Sequence, residues 1–157
     1  MTLLLSIKFN FSTDDFCRIY NPRKSTDPVV EGGNVVPKKG SRITWTNDNE
    51  FLLVTGFSRQ SERLLTLYSS NDLKQVACET LDVSPAILIP FYDEDSSTVF
   101  LSGKGETTVH TYEIAMDPPH LFPLSPYKSS NGSQGFGFLR NKSAMNVREI
   151  EFARAYR

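Results

Sequence analysis

The chain is poor in the residues that usually announce a chemistry. Its 157 residues include two cysteines, two histidines and one tryptophan, and 17 Lys+Arg stand against 18 Asp+Glu for a formal net charge of -1. Cys17 and Cys78 can form one bridge at most, which excludes a disulfide scaffold and favours a reduced setting. The even charge balance removes any bulk attraction to nucleic acid or to an anionic membrane, so neither is expected as a partner. The longest apolar run, Leu3-Leu4-Leu5-Ser6-Ile7, stops at Lys8 and Asn10. That falls well below the ~18–20 residues of a membrane span, and the run has no basic start of the kind a signal peptide carries. No direct membrane insertion is expected, a cytoplasmic location is, and the Asn-x-Ser/Thr triplets at Asn10, Asn131 and Asn141 read as chance.

Helical periodicity is also missing: no stretch of ten or more residues keeps a 3.6-residue apolar spacing. What is present is a hydrophobic fraction of 39%, too high for disorder, distributed in short runs. Runs at 42–46, 51–56, 64–68, 86–91, 98–102 and 107–114 are rich in β-branched and aromatic residues and predict strands. Between them, 47–50, 58–61, 69–72, 93–97 and 103–105 hold the small polar residues that tolerate turn dihedrals. The fold class is all-β.

These strands repeat. Val54-Thr55-Gly56-Phe57-Ser58 leads into Leu65-Thr66-Leu67-Tyr68-Ser69, and Leu101-Ser102-Gly103-Lys104-Gly105 leads into Val109-His110-Thr111-Tyr112-Glu113. Arg18-Ile19-Tyr20-Asn21 is a further copy of the second half. Tyr20, Tyr68, Tyr112 and Tyr156 are spaced by 48, 44 and 44 residues, near the ~40–45 residues of a four-stranded propeller blade. Each tyrosine is expected to close a third strand, where a WD repeat carries its Trp-Asp pair, and to pack its ring between neighbouring blades. Tyr156 follows its supposed first strand, 135–140, too closely and is expected on a different strand of its blade. The blade segments expected are 1–36, 37–82, 83–127 and 128–157.

Five words in register then resemble the coronin family of WD-repeat proteins. They are Arg18-Ile19-Tyr20-Asn21-Pro22-Arg23-Lys24, Thr55-Gly56-Phe57-Ser58-Arg59 with Ser61-Glu62-Arg63, Pro90-Phe91-Tyr92-Asp93-Glu94-Asp95, Gly103-Lys104-Gly105-Glu106, and the run from Val147 to Tyr156. Their order resembles the C-terminal half of a propeller. Leu88-Ile89-Pro90-Phe91-Tyr92 and the closing Glu151-Phe152-Ala153-Arg154-Ala155-Tyr156-Arg157 look most like the second propeller of long, two-propeller coronins. The resemblance implies a noncatalytic interaction scaffold with actin filaments as partner and a cytoskeletal location, with Golgi or vesicle trafficking as a further role. A coronin propeller has about seven blades, whereas this length supplies about three and a half. The expected architecture is therefore a partial WD40-type β-propeller. Its unpaired blade faces would drive aggregation or self-association to complete a ring, or mark a piece of a longer product.

Alternating turns predict two unlike rims. Asp48, Glu50, Asp93, Glu94 and Asp95 make one rim acidic, while Arg59, Arg63 and Lys104 lie on the other beside Glu62 and Glu106. Arg59, Arg63 and Lys104 are the candidate contacts for an acidic protein partner such as actin. No metal, cofactor or catalytic residue is expected. The EF-hand spacing from Asp93 meets Thr98 and Lys104 where it needs Gly and Glu, and Gly103-Lys104 lacks the first Gly and the Ser/Thr of a phosphate loop. Cys17, His110 and His120 have no zinc spacing and no nucleophile elbow beside them, and His110 reads as a packed or surface residue. One rival reading is an RNA-binding module. In it Gln134-Gly135-Phe136-Gly137-Phe138-Leu139-Arg140-Asn141 and Val99-Phe100-Leu101-Ser102-Gly103 resemble the paired words of an RRM. Pro118, Pro119, Pro123 and Pro126 bar the helix that an RRM needs between them.

Overall fold

The computed structural model describes residues 8–11, 16–33, 40–139, 145, 148, 151 and 153–156. Position 140 and position 141 of the RNA-type word, and much of the closing word from Val147, lie outside the described residues. The described chain forms thirteen strands in four antiparallel sheets. The first sheet joins β1 (Lys8–Phe11), β2 (Phe16–Tyr20) and β3 (Pro28–Gly33). The second runs β4 (Arg42–Thr46), β5 (Phe51–Phe57), β6 (Arg63–Ser69) and β7 (Gln75–Thr80) in chain order. The third repeats it with β8 (Leu88–Asp93), β9 (Thr98–Gly103), β10 (Thr108–Ile114) and β11 (Leu121–Lys128), and the last pairs β12 (Gly137–Phe138) with β13 (Ala155–Tyr156). Four-stranded meanders following one another in this way are propeller blades.

The sheets stack face to face and fan out. First strands β4 and β8 approach closely, as do β5 and β8, whereas fourth strands β7 and β11 do not approach one another in this way. The strand period of two explains how one sheet serves two neighbours. Along β5, Phe51 and Leu53 enter a cluster with Leu65, Leu67, Leu88, Val99, Leu101, Tyr112, Ile114 and Leu121, which lies between the second and third sheets. The alternate residues Leu52 and Val54 enter a second cluster with Cys17, Ile19, Tyr68 and Leu73, between the first and second. Burial pushes the Cys17 thiol up to about 11 despite neighbouring Arg18, so it remains protonated and packs as a small apolar group.

The tyrosine repeat has its expected role at two places. Tyr68 and Tyr112 lie on third strands β6 and β10, both buried, each in the cluster facing the preceding sheet. Tyr20 ends β2 and is half-buried. Tyr156 differs: it pairs directly with Gly137 across β12 and β13 and is 58% exposed. It is on another strand of its sheet, in keeping with its early place after 135–140.

Two strands depart from expectation. The run at 86–91 forms its strand at Leu88–Asp93, because Ala86 and Ile87 belong to the connection that crosses from the second sheet. More unexpectedly, Leu121–Lys128 is a strand although it contains Pro123 and Pro126. Its place at the sheet edge permits this, since β11 needs a partner on one side only and proline can point its missing donor outward.

Candidate functional site

Turn chemistry decides which side chains reach each rim. At one end of the sheets, Asn47, Asp48 and Asn49 take three consecutive left-handed backbone conformations with φ of 51°, 53° and 70°, which Asn and Asp tolerate better than other non-glycine residues. The Asn47 side-chain amide donates to the Ile114 carbonyl at 3.1 Å. Its backbone N–H donates to the Tyr92 hydroxyl, which donates in turn to Asn47 Oδ1, both at 3.1 Å. These bonds fix the 47–50 turn beside the 93–97 turn of the next sheet, so exposed Asp48, Glu50, Glu94 and Asp95 share a rim. Asp93 is half-buried and accepts from the Ser96 hydroxyl at 2.7 Å.

The opposite rim is organised around Arg63. Sequence reading places it among the projecting turn cations, and that expectation fails: Arg63 is 2% exposed. Its guanidinium forks onto Asp82, with Nε to Oδ1 and Nη2 to Oδ2 both at 2.5 Å, while Nη1 lies 3.3 Å from Glu106 Oε1 and donates to the Ala86 carbonyl at 3.4 Å. The backbone closes the same link, Arg63 N–H donating to Asp82 O at 2.7 Å and Leu81 N–H to Arg63 O at 2.9 Å. Ser84 donates its hydroxyl to Glu106 at 2.7 Å. One side chain thus ties the start of β6, the connection between sheets and the β9–β10 turn. Burial alone would lower the Arg63 pKa, but the bonds to Asp82 and the charge of Asp82 and Glu106 outweigh it and raise it. The Arg63 fork in turn holds the Asp82 carboxyl below its ordinary range against the opposing effect of burial.

His110 sits half-buried beside this group, its enclosed Nε2 3.8 Å from Asp82 Oδ2 and without a hydrogen-bond partner among the described residues. Burial lowers its pKa below 6.5, with Arg63 acting the same way and Asp82 and Glu106 opposing. Because the folded pKa is depressed, the unfolded chain binds the proton more readily. The neutral ring's contribution is complete above about pH 6.5 and is lost as pH falls through the folded value. Acidification from about pH 7 to about pH 5 is expected to lower the thermal midpoint, and His110→Gln is expected to flatten that slope. The Asp82 contribution lies in a separate window, below its ordinary 3.8. An unchanged slope in the variant would show that His110 is not the titrating group.

Around the buried arginine the two remaining candidate cations project. Arg59 is exposed in the 58–62 turn, where Ser58 Oγ accepts from the backbone N–H of Gln60 and of Glu62 at 3.1 and 3.2 Å and donates to Glu62 Oε2 at 3.1 Å. Lys104 is exposed in the next turn, where Gly105 adopts φ of 83° and its N–H donates to Ser133 O at 2.7 Å. Gly103 has no room for a side chain: a Cβ there would lie 2.8 Å from Glu106 Cγ. In the two turns themselves Glu62 and Glu106 are half-buried while Arg59 and Lys104 face out. Sequence reading missed Asp82, Ser84 and Ser133 because polar residues in a connection give no local sign of a bond to a distant partner.

The aromatic residues of the RNA-type words are used otherwise. Phe100 lies in β9 and Phe138 in β12, in different sheets, whereas an RRM sets its two words on adjacent strands of one sheet. Phe91, Phe100, Phe136 and Phe138 pack on one another with ring centroids 5.0–5.9 Å apart, joining the last sheet to the third. The rings that would stack on bases serve as an interface between sheets, and the RNA-binding reading is withdrawn.

No protein-family model matches the chain. Curated relatives do. Coronin-7 of Bos taurus is 41% identical over 146 residues, 92% of this chain and 16% of that protein, and Coronin-7 of Homo sapiens is 38% identical over the same shares. Coronin-2A of Bos taurus is 32% identical over 164 aligned positions, 99% of this chain and 31% of that protein. The chain therefore spans under a third of these relatives. Among solved structures, the WD40 domain of Toxoplasma gondii coronin superimposes with a TM-score of 0.82 at 22% identity, over 95% of this chain and 38% of that one. This likeness shows the fold: a partial WD40-type propeller.

Proposed function

Since the chain is a coronin-like WD-repeat segment, we propose that it acts as a noncatalytic scaffold whose mixed rim meets an acidic protein surface, actin filaments being the partner favoured by the family resemblance. The observation that carries this reading is the asymmetry of that rim. Glu62 and Glu106 are half-buried and committed to Ser58, Ser84 and Arg63, so the charges the two turns present outward are those of Arg59 and Lys104. Arg63 works beneath them as the residue that holds the turns in register, and rigid loops lose little entropy on binding. In this reading the units of the scaffold are the segments 1–36, 37–82, 83–127 and 128–157, and the resemblance to the C-terminal half of a second propeller supports it. A cytoplasmic, cytoskeletal setting follows from the same reading, as do Golgi or vesicle trafficking and self-association through an open sheet face.

Charge reversal tests it. In co-sedimentation with filamentous actin, Arg59→Glu with Lys104→Glu is expected to weaken binding by about tenfold or more and to remove most of its salt dependence. Reversal of Asp48 and Glu94 on the other rim is expected to leave binding unchanged. Equal sedimentation of the Arg59/Lys104 variant and the parent chain would overturn the reading.

A further inference from the structure

We propose that Ser125 is a phosphorylation site for a proline-directed serine/threonine kinase, presented on the outer edge of the third sheet. The segment Pro123-Leu124-Ser125-Pro126-Tyr127-Lys128 supplies the chemistry. Pro126 directly after the serine has no backbone N–H, so it alone enters an apolar kinase pocket without leaving a donor unsatisfied. Its ring also biases Ser125 toward the extended conformation in which a kinase cleft takes its substrate, and Pro123 does the same for the residue before it. Lys128, three positions on, offers a cation for an acidic group beside such a cleft.

The structure separates this serine from the chain's other Ser-Pro pair. Ser84, before Pro85, is half-buried and its hydroxyl is held by Glu106 at 2.7 Å within the Arg63 group. Ser125 is exposed, on a strand bonded along one side only, and its hydroxyl has no hydrogen-bond partner among the described residues. The ladder is also interrupted there. Thr111 stands opposite Leu124 and Val109 opposite Tyr127, so Ser125 and Pro126 together face the single residue His110 in a β-bulge. Bulged residues leave the ladder at less cost than regularly paired ones, which is what a kinase needs in order to lift an edge segment into its cleft.

In the reaction, Ser125 Oγ forms a bond to the γ-phosphorus of Mg·ATP as the bond from that phosphorus to the bridging oxygen breaks. ADP leaves, and the hydroxyl proton passes to the kinase's catalytic aspartate. The product carries about −1.5 to −2 charges beside Lys128. Phe122, Leu124 and Tyr127 are also exposed along this strand, so the modification turns a largely apolar edge into an anionic one.

The test incubates the full chain, its native β signal verified by circular dichroism, with a purified kinase of the cyclin-dependent class and radiolabelled Mg·ATP. One phosphoryl group per chain is expected, mapped to Ser125 by mass spectrometry and absent from Ser125→Ala. Pro126→Ala is expected to slow incorporation about tenfold or more, with its thermal midpoint unchanged to show that folding is not the cause. Label on Ser84 instead, equal label in Ser125→Ala, label acquired only by heat-unfolded chain, or none while a standard peptide is phosphorylated, would each overturn the proposal.

Discussion

Arg63→Ala is expected to lower the free energy of unfolding by about 2–4 kcal/mol, making it one of the two most damaging classes of substitution in the chain. The reason is what it leaves behind. Asp82 and Glu106 face one another across a gap from which their shared cation has gone, and the Ala86 carbonyl loses its donor. Breaking a buried pair from one side usually costs about 3–5 kcal/mol, and the lower range applies here because Asp82 is 40% exposed and regains some hydration. Arg63→Lys is expected to fall between, since an ammonium keeps the charge but cannot fork onto both oxygens. A double variant with Asp82→Leu is expected to recover part of the loss, because the uncompensated carboxylate is then absent. Chemical denaturation of the four proteins measures these differences. Loss of less than about 0.5 kcal/mol in Arg63→Ala, the range of ordinary surface positions, would show that the group does not hold the turns together.

Truncating the repeat tyrosines is the second large effect, and its pattern matters as much as its size. Tyr68→Ala and Tyr112→Ala each empty a ring-sized space between two sheets and are expected to cost about 3–5 kcal/mol, as aromatic truncations in a core do. For a chain of this length that corresponds to a fall of roughly 10 °C in thermal midpoint. Tyr156→Ala, at an exposed position of β13, is expected to stay within about 0.5 kcal/mol of the parent. Three similar losses would contradict the distinction between the two kinds of position.

The inner parts of the blades were legible because apolar alternation and turn chemistry agree there. The runs at 42–46, 51–56, 64–68, 98–102 and 107–114 all lie on strands β4, β5, β6, β9 and β10 to within a residue or two. The outer strands β3, β7 and β11 gave no such signal. Exposed on much of their surface, they carry Glu31, Lys128 and two prolines in β11 where a buried strand would need β-branched residues. At the site, sequence distinguished the two rims by turn order but misjudged Arg63. A cation next to a turn is normally solvated, and only the return of Asp82 from the far end of β7, nineteen residues later, supplies the partner that lets it be buried. Long-range charge pairing of this kind has no local signature.

The second sheet has both faces inside the protein: Leu53, Leu65 and Leu67 look toward one neighbour, Leu52, Val54 and Tyr68 toward the other. It therefore behaves as the keystone of an arch. The first and third sheets each lean on it from one side, and its loss would remove the support of both together, whereas loss of the first sheet would leave the cluster between second and third in place. Resistance to unfolding is therefore expected to be concentrated in the middle of the chain, with cooperativity spreading outward by nearest-neighbour contact.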